Sequence, residues 1–247
     1  MGYMQLGSIE AMLGTENYRF IVPSRYGYLR TPMQTDASFA AQADSFADLL
    51  DALNISKVVI MGVSIGGPVA LQFALRHPDR CMTLIMASAI SHDTPDFDLL
   101  GNIMHHIVFR SDLGFYTLST NYQSLLLQFI GVSPEVQANM TAADKQYVNE
   151  MISSMQPIGV RQPGLINDAV RSQTELNLNL TRIQIPTLVF HCKDDGLVNY
   201  EYGQYTATQI PNAEFVSFEH GGHLLVGCVK QIHDCTLSFL KEKGIMD

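Results

Sequence analysis

The chain has 247 residues, 47% of them hydrophobic and 16% charged, which is the composition of a packed globule and not of a disordered chain. Its formal net charge of −9 argues against nucleic acid and anionic membrane as partners. No apolar run approaches the roughly 18–20 residues that a bilayer span requires, and Met1–Leu6 has neither the positive start nor the apolar stretch of a signal peptide.

In chain order, Tyr18–Val22 reads as a short strand ended by Pro23. Ser38–Asn54 reads as a helix, with Phe46, Leu49, Leu50 and Leu53 on one face and Asp44, Asp48 and Asp51 elsewhere. The apolar run Lys57–Met61 is a strand, Gly67–Leu75 a helix and Met82–Met86 another strand. From Ser91 to about Thr181 the pattern holds no strand. Leu99–Val108, Tyr122–Ile130, Pro134–Asn139 and Ala142–Met155 look helical. The strand-helix rhythm resumes at Ile185, with strands at Thr187–Phe190 and Ala213–Phe218. Alternating strands and helices imply an α/β fold, a mostly parallel sheet flanked by helices. The expected organisation is a core of residues 1–90 and 182–247 with a helical cap insertion at 91–181. Met104, Met140, Met151 and Met155 either line a substrate cavity there or fill the cap's own core.

Four cysteines (Cys81, Cys192, Cys228 and Cys235) are too few for a disulfide scaffold. Cys81 and Cys192 fall in or beside core strands. Cys228 and Cys235 share one face of a helix but lie about 10 Å apart along it, too far to bond. The protein is expected to be intracellular and cytoplasmic.

The chemistry concentrates at Gly62-Val63-Ser64-Ile65-Gly66. Gly-x-Ser-x-Gly by itself arises by chance in roughly one chain in ten of this length. Here it joins a strand to a helix, the context of a nucleophile elbow, where a tight turn lifts the serine clear of the sheet and small flanking residues avoid collisions. A serine hydroxyl needs a base, and the base an orienting acid. Asp195 follows the strand at Thr187–Phe190 and His223 follows the strand at Ala213–Phe218, in the chain order Ser, Asp, His. His220 and Asp194 compete for the same roles. Gly221-Gly222 offers a flexible backbone to swing His223, and Val198 offers an apolar anchor three residues after Asp195, so His223 and Asp195 are preferred. The N–H of Ile65 is expected to form half of an oxyanion hole. His77 reads as a helix cap, and His105-His106 as a partly exposed pair in the cap. His191, Cys192, Asp194, His220 and His223 lack tight metal-ligand spacing, and no metal is expected. Gly62, Gly66 and Gly67 do not make a dinucleotide-binding loop, because Ser64 stands where the second glycine belongs.

These segments resemble the α/β-hydrolase fold superfamily, in its capped esterase-like branch. Arg19–Tyr28 looks like the family's fourth strand and the loop after it. Leu71–Arg80 looks like the helix after the elbow, and Asp195–Val198 and Gly222–Leu224 like the acid and histidine loops. The resemblance implies a Ser64–His223–Asp195 triad, no cofactor, and a small ester, amide or related carbonyl substrate. In the family, a third strand ending in a His-Gly loop supplies the second oxyanion donor. Tyr3-Met4-Gln5 stands in its place, and Gln5 is the nearest match for that donor. The expectation is therefore an N-terminally truncated hydrolase with impaired activity, or alternatively a non-catalytic small-molecule binding protein on the same fold. Oligomeric state is not legible.

Overall fold

The computed structural model describes residues 10, 12, 13, 19–93 and 111–246. Four parallel strands form one sheet in the order β1 (Val58–Val63), β2 (Cys81–Ala87), β3 (Thr187–Cys192) and β4 (Ala213–Phe218). The register pairs Val63 with Ala87, Ala87 with Phe190, and Cys192 with Phe218. The strands therefore end together along one carboxyl edge, where open α/β sheets place their ligands.

Alternation along β2 assigns the two faces. Ile85 and Ala87 point to one side, into a cluster with Leu188, Phe190, Phe218, Ile232, Phe239 and Leu240, under helix Val229–Glu242. Leu84 and Met86 point to the other, against Leu71 and Ala74 of helix Gly67–Arg76 and Ile210 after helix Tyr200–Gln209. Numbered in chain order, the helices are α1 (Phe39–Ala52), α2 (Gly67–Arg76), α3 (Asp112–Asn121), α4 (Gln123–Phe129), α5 (Pro134–Ala138), α6 (Ala142–Ser154), α7 (Gln162–Arg171), α8 (Tyr200–Gln209) and α9 (Val229–Glu242).

Local signals explain the boundaries. Ser38 caps α1 by accepting the Ala41 N–H at 3.1 Å. Thr141 and Asp144 form a capping box on α6. His77 ends α2, its Nε2 2.8 Å from Asp44 Oδ1. Helices α3 to α7 build a second core around Phe115, Leu126, Val148, Ile152 and Ile158, which Val226 from the loop before α9 also enters. Met140 and Met155 pack against it, which favours core filling over cavity lining for those two. Met104 and the pair His105-His106 lie outside the described residues. Among the described residues, no helix is long and apolar enough to cross a membrane.

One predicted strand is absent. Residues 19–22 of the Tyr18–Val22 segment have no strand conformation, and Tyr18 lies outside the described residues. A strand exists only with a ladder partner about 4.8 Å away. Arg19–Pro23 and β1 instead line a shared cavity of about 580 Å³, together with Phe46, Leu49, Val69 and Phe73. Among the described residues, β1 pairs only with β2.

Candidate active site

Ser64 follows the last residue of β1 and has φ 52°, the left-handed conformation that a non-glycine residue adopts only when its surroundings enforce it. Space is the enforcing factor. A Cβ at Gly62 would lie 2.8 Å from Ala70 Cβ and 2.9 Å from Gly67 Cα. One at Gly67 would lie 2.4 Å from the Ile90 carbonyl. Gly66 differs from the expectation for a flanking glycine: a Cβ there would meet nothing within 4 Å. The steric demand of the elbow falls on Gly62 and Gly67, because the chain has already turned outward at Gly66. Ile65 lies in the first turn of a short 3-10 helix, Ser64–Gly66, where N–H groups have no partner within the helix.

His223 Nε2 lies 2.8 Å from Ser64 Oγ, and its Nδ1 lies 3.0 and 3.2 Å from the two carboxylate oxygens of Asp195. An ionised carboxylate only accepts, so the proton belongs on Nδ1 and Nε2 is free to accept from the serine hydroxyl. Asp195 is itself fixed. Its Oδ1 accepts the N–H groups of Leu197 and Val198, each at 2.9 Å. Its Oδ2 lies 3.2 Å from His191 Nε2, which is also 2.8 Å from the Val198 carbonyl. Burial alone would push the Asp195 carboxyl up. Its electrostatic attraction to the His223 ring and the hydrogen bonds from His223, His191 and the Val198 N–H outweigh burial and hold the group well below the usual carboxylate range.

Two neighbours hold the histidine loop. Asp194 accepts the N–H groups of Gly222 at 2.8 Å and Gly221 at 3.2 Å, so it joins the acid loop to the histidine loop. Gly221 and Gly222 have φ 144° and 58° and supply the backbone freedom of that turn. His220 points away, with its side chain 70% exposed.

A family model for the α/β-hydrolase fold matches residues 2–226. The chain belongs to the α/β-hydrolase fold family. Among curated relatives of this α/β-hydrolase, an uncharacterised hydrolase, YcgS of Bacillus subtilis (strain 168), is 28% identical over 218 residues, covering 85% of this chain and 77% of that one. RutD of Pseudomonas savastanoi pv. phaseolicola (strain 1448A / Race 6), which carries the provisional name carbamate hydrolase, is 27% identical over 212 residues, covering 85% and 78%. Among solved structures, an α/β-hydrolase fold protein from Nakamurella multipartita superposes with a TM-score of 0.85 at 27% identity, covering 98% of this chain and 89% of that one.

Within this α/β-hydrolase, Ser64, His223 and Asp195 meet at the carboxyl edge of the sheet, and Ile65 lies beside them. Gln5 lies outside the described residues. Among the described residues no group of three or more His, Cys, Asp or Glu is placed to hold a metal ion. The cavity of about 580 Å³ along β1 is lined mainly by apolar side chains, and Ser64, Ile65 and Arg25 form part of its wall. Three residues in this environment escaped sequence reasoning: His191 behind Asp195, Gly131 beneath the histidine loop, and Arg25 behind Ile65. For Gly131 a signal existed, since a glycine after Ile130 marks a helix end in the left-handed conformation, and its φ is 80°. His191 and Arg25 carry no local pattern.

Proposed function

We propose that this chain is a serine hydrolase that cleaves a small ester or related acyl or carbonyl compound through an acyl-enzyme. Ser64 is the nucleophile, His223 the base and Asp195 the residue that orients it. Ser64 Oγ attacks the substrate carbonyl carbon as its proton passes to His223 Nε2. The resulting oxyanion faces the Ile65 N–H. Collapse expels the leaving group, which takes the proton from His223. Water then repeats the sequence on the acyl-enzyme, with His223 again accepting the proton, and releases the acid. Of the cap segment at 91–181, the described helices from Asp112 to Arg171 act as a cap over this edge. No cofactor takes part in this cycle.

The observation that carries the reading is the unbroken relay of 2.8 Å and 3.0 Å from Ser64 Oγ through the imidazole to Asp195. The hydrolase relatives support it, and a carbamate carries the same kind of electrophilic carbonyl carbon. The deciding experiment is labelling with a fluorophosphonate, followed by a panel of short-chain p-nitrophenyl esters. Labelling at Ser64 that disappears in Ser64→Ala supports the reading. A folded sample that takes no label overturns it.

A second reading is a non-catalytic or impaired binding protein for small molecules. The large, mainly apolar cavity along β1 favours it. Ligand binding that survives Ser64→Ala, in a parent that turns over no ester, would select this reading.

A further inference from the structure

A buried guanidinium lies behind the elbow. Arg25 is 5% exposed and Asp168, on α7, is 2% exposed. Arg25 Nη2 donates to Asp168 Oδ2 at 2.6 Å, and the Tyr28 hydroxyl donates to the same oxygen at 2.5 Å. Arg25 Nη1 donates to the carbonyl oxygen of Ile65 at 2.7 Å. The guanidinium carbon lies 5.1 Å from the centre of the Tyr28 ring. One side chain thus joins three distant segments: the loop after Pro23, the elbow, and the helical segment between β2 and β3.

Stability does not account for this cluster. A buried ion pair often contributes no more than well-packed apolar residues of similar volume. Among the described residues this one also leaves Arg25 Nε and Asp168 Oδ1 buried without partners, an added cost. Nor is the pair needed to dock the loop on α7. The N–H of Gly164 donates to the Gly27 carbonyl and that of Leu29 to the Val160 carbonyl, each at 3.0 Å. Gly164 is packed so closely that a Cβ there would lie 2.1 Å from the Tyr28 ring. What the ion pair adds is a fixed hold on Ile65.

We infer that Arg25 is a positioning residue. By anchoring the Ile65 carbonyl it sets the orientation of that residue, and with it the direction of the Ile65 N–H toward the developing oxyanion. Asp168 and Tyr28 hold the guanidinium fork in place, so α7 is tied mechanically to the oxyanion hole. The catalytic part of this inference rests on the serine-hydrolase reading above. The structural part, a held Ile65, stands without it.

The test compares the parent with the double variant Arg25→Met/Asp168→Leu, which removes both charges together, and with Arg25→Lys and Tyr28→Phe. Four quantities are read: the melting midpoint, kcat and KM on p-nitrophenyl acetate, the rate of fluorophosphonate labelling, and amide hydrogen exchange across residues 62–67. The double variant is expected to keep its melting midpoint. Its kcat and labelling rate fall roughly 10- to 100-fold, less than the loss of a whole oxyanion donor, while KM stays within about twofold. Exchange at Ile65 accelerates. Arg25→Lys retains the charge but not the two-armed fork, so it recovers part of the lost rate, and it carries the test if the double variant does not fold. Parent-like kcat and parent-like Ile65 exchange in the double variant would overturn the inference, as would a kcat loss in Arg25→Lys that merely follows a fall in melting midpoint. A parent that takes no label but shows accelerated Ile65 exchange in the variant would sink the hydrolase reading and leave the positioning role standing.

Discussion

The carbonyl oxygen of Gly131 accepts the backbone N–H of His223 at 3.0 Å. The same oxygen accepts the N–H of Gly196 at 3.3 Å. A residue of the helical segment therefore braces the acid loop and the histidine loop against each other, one residue from Asp195 and at His223 itself. Gly131 is confined on every side: a Cβ would lie 2.6 Å from Leu197 N and 2.9 Å from His223 Cβ, at a φ of 80°.

Gly131→Ala is accordingly expected to cost at least about 2 kcal/mol, from left-handed strain plus overpacking. It should also move His223, and a displacement of about 1 Å can lower the rate by roughly 10²-fold. Gly244→Ala is the control. Its φ is 65° but a Cβ there meets nothing within 4 Å, so it loses stability through strain alone and keeps kcat. Urea unfolding and ester kinetics on both variants separate the two effects.

Asp195→Asn should leave the fold intact and lower kcat by about 10³- to 10⁴-fold, because an amide stabilises the wrong imidazole tautomer. The same substitution has a pH signature. The Asp195 carboxyl lies below its unfolded value, so its ionisation contributes stability that is fully present above the unfolded pKa of about 3.9 and is lost as pH falls toward the depressed folded value. The difference in unfolding free energy between parent and Asp195→Asn should therefore change, at the parent's expense, as pH drops below about 4. A difference that is flat across pH 7 to 3 would contradict the assigned environment of Asp195.

The cysteines should separate by environment. Burial pushes the Cys81 thiol up to about 12, and only the thiolate reacts with alkylating agents. Cys192 and Cys228 are also buried, whereas Cys235 is half-exposed on α9. Iodoacetamide at pH 8.5 on the native protein should label Cys235 first and leave Cys81 unmodified, as read by peptide mass. Early labelling of Cys81 would show that the β1–β2 edge opens under native conditions.

Sequence patterning anticipated the strand at Ala213–Phe218 residue for residue, and α1, α2 and α6 to within about two residues at either end. Helices α1 and α6 bury residues at helical spacing, and that periodicity is written in the chain; α2 and the strand are legible as short, mainly apolar runs. Helices α3, α7 and α8 were not anticipated, each for a physical reason. Only Phe115 of α3 is buried, while Leu113 and Tyr116 are exposed, so α3 shows no apolar stripe. Pro163 and Gly164 open α7 and read as a turn, although proline fits the first turn of a helix. Tyr200, Tyr202 and Tyr205 give α8 the aromatic content of a strand. In the site, Ser64, Asp195 and His223 were legible because each sits just after a strand. Contacts such as Arg25 with Asp168 join residues 143 positions apart and leave no trace in local pattern.

The glycines around Ser64 offer the sharpest local test, because three neighbours of one type are predicted to behave differently. Gly66 has φ −79° and open space where a Cβ would be. Alanine there keeps the backbone conformation and restricts the unfolded chain, so Gly66→Ala should stabilise the protein by about 0.4–1 kcal/mol and leave ester kinetics near parent values. Gly62→Ala drives a methyl into Ala70 and Gly67, and Gly67→Ala drives one into the Ile90 carbonyl. Neither contact can be relieved by a flexible side chain, since each involves backbone atoms or another methyl. Both variants should lose about 1–3 kcal/mol through overpacking, with Ser64 tilted off the line to His223 Nε2 and fluorophosphonate labelling slowed. Melting curves and labelling rates for the three single variants decide the matter: equal damage at all three positions would mean that the turn's strain at Ser64, and not the crowding at Gly62 and Gly67, governs the elbow.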